Sequence, residues 1–336
     1  MAVSTSLGST SGKKIIKSAN LIGTTSNVSI PRAAAPIQPL NYEEKIPVID
    51  VPEKLLLRWN AAMMFFHTIL AIVTLALGKI DLQVDIYKTD YSFEVYVNDS
   101  WRPAFNQSNA DGFRLLPFYK QVEGLYITAL TASFFFISAL FHFLNVSLLR
   151  TFYISKLKNC YTPTRWIEYF FSAPVMFALI AYGLGIRDQY LLAATSALIA
   201  VTMPFGAWVE SISRPKMLRN GEIVWNEPFW YRISPWFVGH IPQVVAWALV
   251  YISFYSSSWD LGRIPWFVFL ILWGECILFF SFGAASFLSQ YYPPPQFWKG
   301  ELLFQILSLV SKGFLGILLI VNVLMLSSFD EIYENV

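Results

Sequence analysis

The amino-acid sequence predicts an all-α membrane protein built as a bundle of seven transmembrane helices. Of its 336 residues, 55% are hydrophobic and only 14% are charged, which lies outside the usual range of soluble domains. Seven apolar runs have the length of about 20 residues that a helix needs to cross the hydrocarbon core of a bilayer. These runs lack the alternation of barrel strands, so each is expected to be a helix.

The predicted spans cover most of the chain after a polar N-terminal segment. They lie near residues 55–77, 122–146, 163–186, 190–212, 232–256, 263–289 and 301–328. The first 48 residues are rich in Ser, Thr, Gly and Asn without the apolar segment of a signal peptide, which predicts a disordered tail. The expected organisation is therefore a tail at 1–48, a seven-helix domain at 49–328 and a short tail at 329–336.

The positive charges indicate how the bundle is oriented in the membrane. Sixteen of the 24 Lys and Arg residues lie in the N-terminal segment up to Arg58, or in the links after the second, fourth and sixth spans and at the span ends beside them. Because cytoplasmic flanks are enriched in Lys and Arg, the N-terminus is predicted to be cytoplasmic and the C-terminus extracellular or lumenal. A net charge of +2 without a basic stripe indicates no nucleic-acid partner.

The long link between the first two spans, residues 79–120, is predicted to carry an extracellular β-hairpin. Residues 82–97 alternate apolar and polar side chains around the polar triplet Lys88-Thr89-Asp90, which we expect to be the turn. The apolar face of the hairpin needs a cover, either the bundle or a second protomer. Sequons at Asn98 and Asn106 suit an exposed loop, although such motifs are common by chance.

Lys312 lies near the middle of the last predicted span, in the run LFQILSLVSKGFLGILLIVNVL at residues 303–324. A charged lysine at the centre of a membrane helix costs about 2.5–3.5 kcal/mol on insertion scales, so its presence indicates a functional site. Snorkelling is disfavoured because the residue lies about eleven residues, or roughly 16 Å, from either end of the span. A structural ion pair with a neighbouring helix stays open as an alternative.

A buried lysine amine can also be a nucleophile that forms a Schiff base with a carbonyl compound. A protonated Schiff base needs a nearby anion, and the third span supplies Glu168 in the segment RWIEYFFSAP. His67 and His142 fall at a compatible depth, which indicates a protonatable cavity on the cytoplasmic side of Lys312. A packing or capping role is the alternative for each histidine, and it is the preferred interpretation of His240.

The segments RWIEYFFSAP and SLVSK, the two histidines, the inverted topology and the long hairpin-bearing loop together resemble heliorhodopsins, a branch of the retinal proteins. The resemblance covers roughly residues 50 to 328. It implies that Lys312 bears all-trans retinal as a Schiff base and that Glu168 is the counterion. Arg165 is then expected on the cytoplasmic side of Glu168.

The resemblance also assigns the residues around the chromophore. Tyr169 is expected to line the polyene pocket with Trp166 packed close by, and Ser308 to contact the Schiff-base region. His67 and His142 are expected to hold a water cavity on the cytoplasmic side. The ring end is expected to be walled by aromatic side chains of the fifth and sixth spans, with Trp236, Phe267 and Trp273 as candidates.

These residues predict a light sensor with a slow photocycle rather than a pump. Ordinary microbial rhodopsins carry a second carboxylate one turn before the retinal lysine, where this chain has Ser308. Related pumps place a proton donor eleven residues after the counterion, where this chain has Leu179. The alternative is a light-gated proton channel or transporter that uses the intramembrane acids Glu275 or Glu210, of which Glu210 is expected at the membrane interface.

An enzyme is the third and least favoured class. The chain has three histidines, and it contains neither the HExxH motif of zinc proteases nor the GxSxG motif of serine hydrolases. We therefore expect no metal and no catalytic residue. The expected partners are the lipid bilayer, a second copy of the chain in a homodimer and an unknown signalling protein.

Overall fold

The computed structural model describes residues 47–103, 112–257 and 264–325. Within these ranges, seven helical segments are long and apolar enough to cross a membrane, which confirms the predicted fold class. The predicted tails, apart from residues 47 and 48, and the sequon at Asn106 lie outside the described residues.

The helices follow the predicted spans closely. In chain order they are α1 (Glu53–Leu77), α2 (Ile127–Val146), α3 (Arg150–Leu157), α4 (Pro163–Gly183), α5 (Gln189–Ile212), α6 (Phe229–Ser257), α7 (Trp266–Leu270), α8 (Cys276–Tyr291) and α9 (Phe297–Leu319). The π-helical segment Ile271–Glu275 joins α7 and α8 into one span. A second π-helical segment, Ile320–Leu324, extends α9. The short helix α3 lies between two spans.

Local sequence signals explain several helix ends. Pro163 opens α4, where its missing N–H has no intrahelical partner to lose. The Asp188 carboxylate caps α5 by accepting hydrogen bonds from the backbone N–H groups of Tyr190 (3.0 Å) and Leu191 (2.9 Å). The proline and the capping aspartate determine the first residues of α4 and α5, two helices that flank the central cavity.

The spans pack side by side in a closed ring around a buried centre. Helix α1 packs against α2, α2 against α4, α4 against α5, α5 against α6, α6 against α8, α8 against α9, and α9 back against α1. One end of the bundle carries α3 and a small antiparallel ladder of β4 (Pro215–Met217) and β5 (Ile223–Trp225), and is named the α3 end. In this ring α9 and α6 lie on opposite sides of α8.

The opposite end, named the sheet end, carries a three-stranded antiparallel sheet. Its strands are β1 (Gln83–Val97), β2 (Ser100–Pro103) and β3 (Gly112–Tyr126), in the order β2-β1-β3. The sheet is attached to the bundle by hydrogen bonds from Tyr87 N to the Arg187 carbonyl (2.9 Å) and from the Tyr182 hydroxyl to the Asp85 carbonyl (3.2 Å).

The sheet confirms the predicted β structure, but the predicted turn at Lys88-Thr89-Asp90 was wrong. These residues lie in the middle of β1, where they pair with Lys120, Tyr119 and Phe118 of β3. The turn is formed instead by Asn98 and Asp99, whose φ angles of 51° and 57° lie in the left-handed region that two-residue hairpin turns require. Asn and Asp tolerate this region better than Lys or Thr do.

The second span also begins later than predicted, at Ile127 instead of residue 122. The reason is that β3 continues to Tyr126, which pairs with Gln83. An apolar strand that runs directly into an apolar helix has no polar boundary, so hydropathy alone does not separate the two elements.

Candidate functional site

Lys312 makes a buried ion pair with Glu168 at the centre of the bundle. Its Nζ lies 2.6 Å from Glu168 Oε1, 2.5 Å from Ser138 Oγ and 3.1 Å from Ser308 Oγ. Ser138 Oγ also donates a hydrogen bond to Glu168 Oε1 (2.7 Å). The lysine is only 4% exposed, so its charge is held by α2 and α4 rather than carried to the membrane surface.

The two predicted histidines lie together beside this pair. The rings of His67 on α1 and His142 on α2 are stacked with centroids 5.7 Å apart, and both side chains are buried. His142 Nδ1 lies 2.9 Å from Asn60 Oδ1. Within the described part of the chain, neither ring nitrogen of His67 has a hydrogen-bond partner. The pair therefore offers buried nitrogen atoms that can take up a proton or bind water.

Arg165, one turn before Glu168, faces away from it and toward two other acids. Its guanidinium pairs with Glu210 of α5 and with Glu301 of α9. Glu210 also accepts hydrogen bonds from the backbone N–H (2.8 Å) and the hydroxyl (2.9 Å) of Thr162. Glu210 is 1% exposed and lies near the end of α5, so the cation that it neutralises lies inside the bundle; its interfacial depth stays a prediction.

A hydrogen-bonded cluster continues from this ion triad to α3. The Tyr153 hydroxyl donates to Glu301 Oε1 (3.0 Å) and accepts from Asn60 Nδ2 (3.2 Å). The pKa of Tyr153 is raised well above its usual value, mainly by burial and to a smaller extent by the negative charge of Glu301. The hydroxyl therefore keeps its proton. Asn60 bonds both His142 and Tyr153, which connects the histidine pair with the ion triad.

An apolar cavity lies between α4, α5, α6, α8 and α9, and Lys312 is one of its lining residues. Its empty space, including the part that opens outward, is about 790 Å³. Trp166, Tyr169, Met176, Phe279, Phe282 and Trp236 are among its lining residues. The Tyr169 hydroxyl donates to the Phe304 carbonyl (3.1 Å), which fixes the ring against the cavity.

Close contacts between helices shape this cavity. At Gly206 of α5, a Cβ atom would lie 2.2 Å from the indole of Trp166, so only glycine leaves room for that ring. Of the predicted ring-end candidates, Trp236 lines the cavity. Phe267 and Trp273 do not: Phe267 lines a separate cleft at the sheet end, and Trp273 is 52% exposed. Both lie on the part of the sixth span that precedes the residues facing the cavity.

Three contributors to the site were missed in the sequence. Ser138 lies one helical turn before His142 and thus on the same face of α2, a spacing that could have revealed it. Ser311 Oγ, next to Lys312, donates to Glu275 Oε2 (3.0 Å) from the other side of α9. Glu301 lies eleven residues before Lys312, about three turns away on the same face.

The Arg165 triad is expected to stabilise the fold strongly. Replacing Arg165 by Met leaves Glu210 and Glu301 buried without their cation, and removing one partner of a buried pair costs about 3–5 kcal/mol. We expect a large drop in the thermal unfolding temperature of the purified protein, measured by circular dichroism.

The half-exposed pair between Lys158 and Glu53 (2.5 Å) provides the control, since exposed pairs contribute about 0–1 kcal/mol. Lys158→Met should leave the unfolding temperature nearly unchanged. Equal losses in Arg165→Met and Lys158→Met would contradict a special role of the buried triad.

Seven membrane spans, a buried lysine paired with a glutamate and an apolar cavity with the lysine in its lining define a membrane protein of the rhodopsin class. A family model described as Heliorhodopsin matches residues 56–324, which is most of the chain. The chain therefore belongs to the heliorhodopsin family. No curated protein matches the sequence.

Membership of a rhodopsin family implies a retinal chromophore, and the site fits such a group. Retinal is a long apolar aldehyde, and the cavity is apolar over most of its wall and has Lys312 in its lining. Within the described residues, the buried Ser172 Oγ and Gln243 Nε2 that line it have no hydrogen-bond partner. A group bound there would fill the space that these side chains surround.

Proposed function

We propose that this heliorhodopsin is a light sensor that binds all-trans retinal covalently through Lys312 Nζ, with Glu168 as the counterion, and that it signals through a slow photocycle without pumping ions. The contact of Lys312 Nζ with Glu168 Oε1 beside the apolar cavity carries the proposal. A purely structural ion pair would account for the contact but not for the cavity beside it. When bound, retinal supplies the absorption of visible light and a change of shape on excitation.

The residues around Nζ determine where its positive charge and proton reside. Glu168 Oε1 stabilises the positive charge at 2.6 Å, and it is the carboxylate next to Nζ that can accept its proton after light absorption. Ser138 contacts both atoms and holds the carboxylate in place. In a buried site of low dielectric, this single carboxylate dominates the electrostatics of the linkage nitrogen.

His67 and His142 are the bases next to this centre, and we assign them the release and return of the proton. The cluster through Asn60, Tyr153 and Glu301 then extends toward α3. A change of charge at Glu168 can therefore alter hydrogen bonds that reach the end of the bundle. This is the route by which we expect the bundle to signal.

In the half of α4 that lies toward the sheet end, the position of a pump's proton donor is apolar, which favours sensing over pumping. Leu179, eleven residues after Glu168, is buried in the apolar core among Phe177, Ile180 and other hydrophobic residues. An apolar side chain cannot return a proton to the lysine from that side. The donor position that related pumps use on this helix is therefore not available to return the proton.

Electrophysiology distinguishes sensing from transport. Under voltage clamp, cells that express the wild-type protein with retinal should show no stationary photocurrent, while flash photolysis of the purified protein shows a slow recovery. Cells with Lys312→Ala provide the baseline for light artefacts. A photocurrent that depends on the driving force would overturn the proposal of a non-transporting sensor.

One observation favours a light-gated proton channel as the second candidate. Glu275 is fully buried and lies in the π-helical segment of the sixth span, with Oε2 bonded to Ser311 beside Lys312. An acid within the membrane is energetically costly, so its presence indicates a functional role. Glu210 is a weaker candidate, because its carboxylate is committed to Arg165 and Thr162.

If wild-type cells show a photocurrent, Glu275→Gln should abolish it, because the amide cannot accept and release a proton at that position. The matched control is Glu222→Gln, which changes an exposed acid in the β4–β5 hairpin. An unchanged current in Glu275→Gln would reject this route.

The membrane orientation, assembly and class of activity complete the proposal. The distribution of Lys and Arg supports a cytoplasmic N-terminus, which places the α3 end in the cytoplasm. A homodimer is supported by exposed apolar side chains on one face of the sheet, among them Phe93 (48%), Phe113 (73%) and Leu115 (58%). We propose no enzymatic activity, and a signalling partner would meet the α3 end.

A further inference from the structure

The wall of the cavity formed by α6 carries a pair of polar side chains, His240 and Gln243. They are three residues apart and therefore project from the same face of the helix. Because α6 is separated from α9 by α8 in the ring of spans, this wall lies across the cavity from Lys312. Lys312, His240 and Gln243 line the same cavity, so a molecule attached to Lys312 that extends across it reaches these two residues.

The side-chain amide of Gln243 has a buried N–H donor without a hydrogen-bond partner in the described part of the chain. Its side chain is 7% exposed, and its Nε2 has no partner among the described residues. A buried donor without a partner costs about 1–3 kcal/mol. An apolar side chain would avoid this cost, so the amide indicates a polar group on whatever fills the cavity.

His240 offers the complementary acceptor. Its Nδ1 lies 2.8 Å from the Trp236 carbonyl oxygen, so this nitrogen carries the proton in the neutral ring and Nε2 is the acceptor. The ring stays in this position because Gly283 of α8 leaves room for it: a Cβ there would lie 2.1 Å from Nε2. The wall thus presents one amide donor and one imidazole acceptor.

We infer that the cavity selects a retinoid whose ring carries a hydroxyl group, held by Gln243 and His240. The inference rests on the proposed retinal-binding function and specifies the chromophore further. A hydroxyl accepts from the Gln243 amide and donates to His240 Nε2 at the same time, whereas a ketone accepts only and leaves His240 without a donor. An unsubstituted ring leaves both groups unpaired.

A competition experiment tests this selectivity by the identity of the bound retinoid. Protein produced without chromophore is incubated with equal amounts of all-trans retinal and all-trans 3-hydroxyretinal, and in a parallel reaction with 4-hydroxyretinal. The bound retinoids are then extracted and quantified by chromatography. We expect at least one hydroxylated form to be enriched about tenfold, the ratio that corresponds to about 1.4 kcal/mol.

Two variants and a matched control locate the effect. Gln243→Leu and His240→Phe should each bring the ratio close to one, and the circular dichroism spectrum of each purified variant shows whether it folds. The matched control is Ser234→Ala, which removes a hydroxyl of α6 that donates to the Tyr231 carbonyl outside the cavity and should keep the wild-type preference. A loss of preference in Ser234→Ala as large as in Gln243→Leu would overturn the assignment to the cavity wall.

The outcomes separate this inference from the proposed function. Full uptake of plain retinal with no enrichment of either hydroxylated form would overturn the inference, because water would then satisfy Gln243, and would leave retinal binding intact. Failure of the wild-type protein to form a visible band with any of the three retinoids would instead overturn the proposed function, and this inference with it.

Discussion

Lys312→Ala is expected to abolish the visible absorption band of protein supplied with all-trans retinal. The substitution removes the primary amine beside Glu168, the group that would form a Schiff base with the aldehyde. The measurement is the visible spectrum of purified protein, together with the retinoid that remains bound after denaturation. Lys299→Ala, which changes an exposed lysine bonded to Gln296 (3.1 Å), should retain the band.

Removing the lysine also leaves Glu168 without its cation, which can destabilise the fold by about 3–5 kcal/mol. The double variant Lys312→Ala with Glu168→Gln removes both charges and tests the same bond in a bundle without a buried unpaired charge. A visible band of wild-type intensity in either folded variant would contradict covalent attachment at Lys312.

Glu168→Gln is expected to remove most of the visible absorption at neutral pH and to replace it by absorption in the near ultraviolet. The amide has nearly the same shape as the carboxylate but carries no charge, so the nitrogen at 2.6 Å loses the anion that stabilises its protonated form. Acidification should restore a visible band, since it protonates the nitrogen without a counterion. A pH titration of the spectrum measures both effects.

Ser308→Ala is the matched control for this prediction. Ser308 Oγ lies 3.1 Å from Nζ, but it is neutral, so its removal should shift the band only slightly. If Glu168→Gln keeps a wild-type spectrum across the neutral range, another group must act as counterion, and the assignment of Glu168 is wrong.

The sequence allowed the central pair to be predicted because charges within a membrane must find partners. Lys312 and Glu168 were a cation and an anion at matching depth on two spans that run in the same direction, whereas the acid Glu275 lies on a span that runs the other way. The partners of Arg165 could not be deduced in this way. Arg165 lies one turn from Glu168, yet it faces Glu210 and Glu301, and only the rotation of α4 within the ring determines which acids it meets.

In the fold, too, the spans were predictable from local sequence patterns, whereas the turn of the sheet and the π-helical segments depend on packing. The lengths and hydropathy of the runs predicted seven spans, because crossing a bilayer imposes both. The turn of the sheet was misplaced, because a polar triplet can also lie in the middle of a strand, where Lys88, Thr89 and Asp90 pair with β3. The π-helical segments in α7–α8 and after α9 have no sequence signal of their own; they depend on how the spans pack.

The three spans that meet at Lys312 give the bundle an order of assembly. Ser138 comes from α2, Glu168 from α4, and the lysine itself from α9, the last span to be synthesised. Inserted alone, α9 would bear the cost of about 2.5–3.5 kcal/mol for a lysine in mid-membrane. Because α2 and α4 precede it in the bilayer, the nascent α9 finds an anion and a hydroxyl already in place, so the docking that retains the last helix also completes the chromophore site.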